Sequence, residues 1–107
     1  MGSLVLPQDF DFQGTIPLWG VDSQAQRISR EFIFANFDLA FEFMKQCAES
    51  AQKLDHHPDW SNSWNKVLVQ LTTHSAKGLT GLDIQLAQAM DILALKISAL
   101  PLRHPLR

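Results

Sequence analysis

Residues 37–60 read FDLAFEFMKQCAESAQKLDHHPDW, and the change of pattern inside this stretch decides the fold. Apolar side chains recur at Phe37, Ala40, Phe41, Met44, Cys47, Ala48 and Ala51, the spacing of one helical face. That spacing predicts an amphipathic helix over 37–53. Asn36 suits its N-cap, and Asp38 puts a negative charge in the first turn. Asp55-His56-His57-Pro58 ends it, because proline disfavours helix at the residue before it. Beyond Pro58 the period becomes two. Val67, Val69 and Leu71 alternate with Lys66, Leu68 and Gln70, so 59–63 and 65–73 read as a hairpin turning near Asn65-Lys66.

Upstream, Ile28, Phe32 and Phe34 share one strand face over 27–34, and Ser29 and Glu31 share the other. The apolar run 16–21, interrupted by Pro17, reads as an edge strand paired with it. Residues 1–15 show no helical period and are expected to be irregular. Downstream, Thr80-x-x-Asp83 is a capping-box pattern that opens a helix reaching about Leu100, where Pro101 stops it. One apolar stripe of that helix is Leu82, Leu86, Met90, Leu93, Ile97 and Leu100. A second holds Ile84, Ala87, Ile92, Leu95 and Ala99. A helix apolar on two faces must bury both, so a second subunit is expected against it. The order β-β-α-β-β-α predicts an α+β fold: a four-stranded antiparallel sheet with helices on one face. One domain over 1–107 is expected, with 101–107 a tail and His104 solvent-facing.

The 107 residues are 46% hydrophobic and carry 9 Lys+Arg against 11 Asp+Glu. That net charge of −2, with no basic stripe, disfavours direct nucleic-acid binding. No apolar run reaches the roughly 18 residues that span a bilayer, so no membrane partner is expected. The start lacks the basic and apolar regions of a signal peptide. A single cysteine, Cys47, excludes an intrachain disulfide. It points to a reducing, cytoplasmic setting and reads as a small buried hydrophobe.

The chemistry gathers at histidine. If 59–63 and 65–73 pair tightly, the start of one strand lies beside the end of the other. His56 and His57 would then meet His74 at one edge of the sheet. Imidazoles near neutral pKa suit acid–base work, and Trp60 on the same hairpin offers a flat wall for a planar ligand. A metal site is disfavoured: adjacent histidines rarely chelate one ion together, and no Cys-x-x-Cys or His-Glu-x-x-His occurs. Asp83 reads as a helix cap and, compatibly, as a group that orients a histidine. Gly78 reads as a turn residue. No Gly-rich phosphate loop or Gly-x-Ser-x-Gly elbow is present.

Lys53-Leu54-Asp55-His56-His57-Pro58-Asp59-Trp60 is followed by Asn65-Lys66-Val67, Thr72-Thr73-His74 and Gly78-Leu79-Thr80-x-x-Asp83. Together with Ile28-Ser29-Arg30-Glu31-Phe32-Ile33-Phe34 and Ala40-Phe41-x-Phe43-Met44, this set resembles the pterin-4a-carbinolamine dehydratases over about residues 19–98. The resemblance implies dehydration of a 4a-hydroxytetrahydropterin to quinonoid dihydropterin, as in tetrahydrobiopterin recycling, with no metal and no organic cofactor. It implies His56 and His74 as an acid–base pair and His57 mainly as a substrate holder. Pterin contacts are implied at Asp55, His56, His57, Thr72, Thr73 and His74, with Trp19 and Trp60 as aromatic neighbours. It implies a homodimer or homotetramer built partly on the last helix. It also implies a second possible role, in which animal relatives bind a homeodomain transcription factor, which would extend the location to the nucleus. A related pterin or folate-pathway reaction is a third reading. Two departures stand out. Residues 1–18 lack the family's usual amphipathic helix, and Trp64 stands where tyrosine is usual.

Overall fold

Alternating burial along two segments builds the centre of the molecule. In a computed structural model that describes residues 4–22, 24 and 26–98, β2 (Ile28–Ile33) pairs antiparallel with β4 (Lys66–Leu71). Ile28, Phe32, Val67, Val69 and Leu71 all point to one face and are buried. Glu31, Ile33, Lys66 and Leu68 point to the other and are exposed, as period two requires. β1 (Gly20–Val21) and β3 (Asp59–Ser63) flank the pair, giving the antiparallel order β1-β2-β4-β3. The two sequential hairpins therefore join through β2 and β4.

Helices α2 (Phe37–Leu54) and α3 (Gly81–Ser98) cover the buried face. Asn36 caps α2 as expected: its Oδ1 accepts from Leu39 N at 3.0 Å. The buried seam of α2 is Leu39, Ala40, Phe43, Cys47 and Ala51. It is narrower and slightly rotated against the expected stripe. Phe37 and Phe41 lie outside it, 44% and 56% exposed, stacked on each other at 5.8 Å. The helix is apolar over a wider arc than the sheet can cover. Cys47 is buried in the seam, and burial pushes its thiol up to about 12, so it packs as a small hydrophobe.

Three expectations are corrected. The strand read over 16–21 is only Gly20–Val21. Pro17 has no N–H to give a ladder, and Ile16 N instead donates to Phe12 O at 2.7 Å. Ile16 is buried by this turn rather than by strand pairing. Residues 1–15 are not wholly irregular: α1 (Phe12–Thr15) forms one helical turn capped by Asp11. Val5 also bridges Thr80, and Leu6 N donates to Leu79 O at 2.8 Å. Finally, the second apolar stripe of α3 is partly internal. Ile84 and Ala87 are buried, while Ile92 and Leu95 stay 67% and 77% exposed. The expected end at Pro101, Ala99 and Leu100 of the stripes, and the tail with His104 lie outside the described residues.

Candidate active site

The end of α2 determines where the histidine pair goes. Asp55 adopts a left-handed conformation (φ 49°), and its N–H reaches Gln52 O at 3.1 Å. His56 N then donates to Ala51 O at 3.0 Å. These two bonds are the paired C-terminal closure that a left-handed residue permits, and Asp tolerates that conformation better than most residues. The closure turns the chain through His56 and His57 into β3. Asp55 thus shapes the backbone of the motif.

His56 is buried, 8% exposed. Its Nε2 lies 2.6 Å from Asp83 Oδ1 in the first turn of α3. Asp83 is fully buried. Its Oδ2 accepts from Thr73 Oγ1 at 2.7 Å and from Thr80 N at 2.9 Å. Thr80 Oγ1 lies 2.8 Å from Thr73 Oγ1 and, with Thr73 already donating to Asp83, is the donor of that pair. Thr80 Oγ1 in turn accepts from Leu82 N at 3.2 Å. The capping box is therefore real, and the capping carboxylate also holds His56. A carboxylate only accepts, so His56 donates from Nε2 and keeps its lone pair on Nδ1; this tautomer is assigned from the network.

His57 is exposed, and its Nε2 lies 2.7 Å from Gln52 Oε1 in the last turn of α2. An amide oxygen also only accepts, so Nε2 is again the donor and Nδ1 the free acceptor. His74 opens a one-turn 3₁₀ helix, His74–Ala76. The loop around it is closed by Thr73 N to Gly78 O at 3.1 Å and Gly78 N to Thr73 O at 3.4 Å, with Lys77 left-handed at φ 56°. The His74 side chain is 78% exposed, and its Nε2 lies 3.8 Å from Asp59 Oδ2. Arg27 Nη1 approaches the same Asp59 oxygen at 3.5 Å.

The structure links the expected residues in two groups. Thr73, Asp83 and His56 form one buried chain of hydrogen bonds. His74, the next residue after Thr73, reaches Asp59, three residues after His56. Thr72 Oγ1 donates to Gln26 O at 2.6 Å and ties the strand end to the β1–β2 loop. Trp60 lies opposite Val69 on the buried face of edge strand β3 and is half-buried. Trp19 is not brought to the histidines. It is buried edge-on against Phe32, and its Nε1 donates to Asp91 Oδ1 at 2.8 Å. Asp91 stands eight residues along α3 from Asp83, roughly 12 Å of helix. It also takes Arg30 Nη1 at 2.5 Å. Trp64 sits in the turn at the far end of the hairpin, 56% exposed, at φ 51°. Among the described residues, no three His, Cys, Asp or Glu side chains group as a metal site would require. No helix among them is long and apolar enough to cross a membrane.

Sequence reasoning left Gln52, Asp59 and Arg27 without roles. Gln52 carries a legible signal, a polar residue in the helix turn directly before the histidine pair. Asp59 and Arg27 carry none, because they meet through the pairing of β2 with β4 and β4 with β3.

Comparison with known proteins identifies the family. The family model described as pterin 4 alpha carbinolamine dehydratase matches residues 8–93. A relative from Bordetella avium (strain 197N) is 44% identical over 92 residues, 86% of this chain and 85% of the relative. One from Rhizorhabdus wittichii is 46% identical over 84 residues, covering 78% and 87%. Both are named after the same dehydratase. A solved structure from Brucella melitensis, described as a transcriptional coactivator/pterin dehydratase, matches at a TM-score of 0.77 and 40% identity, over 84% of this chain and 98% of that one. A pterin dehydratase-like protein described as a RuBisCO assembly factor in the alpha-carboxysome shares the fold at a TM-score of 0.62 and 17% identity, over 71% and 88%. With its histidine motif set on the family's fold and most of its length matched, the chain belongs to the pterin 4 alpha carbinolamine dehydratase family.

Proposed function

We propose that this chain dehydrates the 4a-hydroxytetrahydropterin left by aromatic amino acid hydroxylases to quinonoid dihydropterin, in the recycling of tetrahydrobiopterin. The observation that carries the reading is the buried Asp83–His56 pair joined through Thr73 to the segment that presents His74. The reaction breaks the C4a–O bond, removes the N5 proton and forms a C4a=N5 double bond, and the hydroxyl departs as water. His56, with its proton held on Nε2, takes the N5 proton on Nδ1, and Asp83 stabilises the imidazolium that results. His74, on the open side of the sheet edge, supplies the proton to the departing oxygen. His57, oriented by Gln52, holds the pterin. The test generates the 4a-carbinolamine in situ and follows quinonoid dihydropterin by absorbance. Acceleration of roughly 10²-fold or more over buffer is expected from acid–base catalysis. A folded protein that gives no acceleration overturns the reading.

We also infer that the chain self-associates through α3. Ile92 and Leu95 stay exposed there, and Leu18 and Ile33 add 65% and 61% exposed neighbours to the Leu95 groove. A dimer or tetramer is expected by light scattering, and the mass of one chain would overturn this. The Brucella neighbour's description as a coactivator makes a partner protein the competing occupant of that face.

A further inference from the structure

We propose that the N-terminal segment 4–7 is a strap that positions the Asp83–His56 pair, acting through the Val5 side chain and the Leu6 backbone N–H. The segment crosses residues 78–80 as an added strand. Val5 bridges Thr80 antiparallel, and Leu6 N donates to Leu79 O at 2.8 Å. On the other side of 78–80, Thr73 bridges Gly78. Residues 78–80 are thus the middle of a small three-stranded patch, with the strap as one edge and Thr73 as the other. Both remaining members of that patch reach the buried network: Thr80 N and Thr73 Oγ1 are the donors that fix Asp83 Oδ2.

The local sequence builds the strap. Leu6 precedes Pro7, and the residue before a proline is driven into the extended region that strand pairing uses. Pro7 has no N–H, so the pairing stops there. Phe10 N then donates to Pro7 O at 3.1 Å and turns the chain. Phe10 and Phe12 meet edge-on at 4.9 Å, and both pack against the core with Leu6. Exposure shows what the strap does. Leu4 and Val5 are 88% and 55% exposed, so they add little to the core, whereas Leu79 and Thr80 beneath them are 1% and 0% exposed. Val5 lies over Gly78, where an added Cβ would stand 3.6 Å from Val5 Cγ1. The strap keeps water off the backbone of 78–80 and off the Thr80 hydroxyl. Hydrogen bonds to a carboxylate hold better in a dry, low-dielectric site. With the strap displaced, water competes for Thr80 and Thr73, Asp83 loses its fixed place, and the proton on His56 Nε2 loses its acceptor. That this matters for turnover, through Nδ1 as the base, rests on the dehydratase reading above; the hold on the imidazole does not.

Three variants of the full chain test the strap. Leu6→Pro removes the N–H and keeps an extended backbone. Leu6→Ala keeps the N–H and removes only the side chain. Val5→Ser strips the apolar cover from Gly78 at an exposed position, and decides the matter if Leu6→Pro does not fold. Two quantities are measured: turnover of the 4a-carbinolamine, and exchange of the His56 Nε2 proton with water by NMR of ¹⁵N-labelled protein. In Leu6→Pro and Val5→Ser, kcat is expected to fall about tenfold with KM held within about twofold, and exchange to quicken about tenfold, the equivalent of one net hydrogen bond. Leu6→Ala is expected to recover most of both. Wild-type exchange in folded Leu6→Pro and Val5→Ser overturns the strap and spares the dehydratase reading. Equal losses in Leu6→Ala and Leu6→Pro also overturn it and reduce Leu6 to packing. A wild type without turnover overturns the dehydratase reading instead, and proton exchange still decides the strap.

Discussion

Asp83→Ala is expected to lower the stability of the protein by about 3–5 kcal/mol, the cost of breaking a buried, hydrogen-bonded charged network by removing one member. The carboxylate is fully buried and receives Thr73 Oγ1, Thr80 N and His56 Nε2. Alanine leaves all three donors without an acceptor in a site too enclosed for ready solvation. Urea unfolding measures the loss, and an alanine variant as stable as the wild type would refute the network. Asp83→Asn separates stability from chemistry. Its amide oxygen can still serve the two donors on the Oδ2 side, which confines the stability loss to roughly 1–3 kcal/mol. Its NH₂ then faces His56 Nε2 and drives the proton of His56 to Nδ1, the atom proposed to act as base. In a comparable triad the wrong imidazole tautomer costs about 10⁴ in turnover. A loss of at least 10²-fold is expected here, and an asparagine variant with near-wild-type turnover would remove His56 Nδ1 from the mechanism.

His74→Ala is expected to show the opposite pattern. The side chain is 78% exposed and meets Asp59 only at 3.8 Å, so its removal should shift stability by no more than about 0.5 kcal/mol. Turnover of the 4a-carbinolamine should fall by about 10²–10⁴, the usual contribution of a positioned acid or base. A urea midpoint that holds while activity collapses is the expected signature. Turnover retained within twofold would mean that another group protonates the leaving oxygen.

The contrast between these two residues marks where sequence alone suffices. The period-two alternation of β2 and β4, the three-and-four spacing of α2 and α3 and the caps at Asn36 and Thr80 all depend on neighbours within a few residues, so they can be read along the chain. The break at Asp55 before Pro58 is local for the same reason. Where a local rule was overridden, the cause was also local: Pro17 withheld a ladder hydrogen bond, and the 16–21 strand shrank to Gly20–Val21.

The candidate site divides along the same line. The histidine motif and the capping role of Asp83 were legible, because Thr80 and Asp83 are three residues apart. That Asp83 also holds His56, 27 residues away, required α3 to dock its first turn against the end of α2. The partner of Trp19, Asp91, is 72 residues distant, and only the fold places that ring in the core. The meeting of Arg27, Asp59 and His74 required β4 to lie between β2 and β3. By itself, the sequence determined the four main elements β2, α2, β4 and α3, their order and the histidines that carry the motif, because those follow from spacing and side-chain chemistry. Only the tertiary structure decided which groups orient each imidazole, because hydrogen bonds between distant segments exist only after the sheet has set their register.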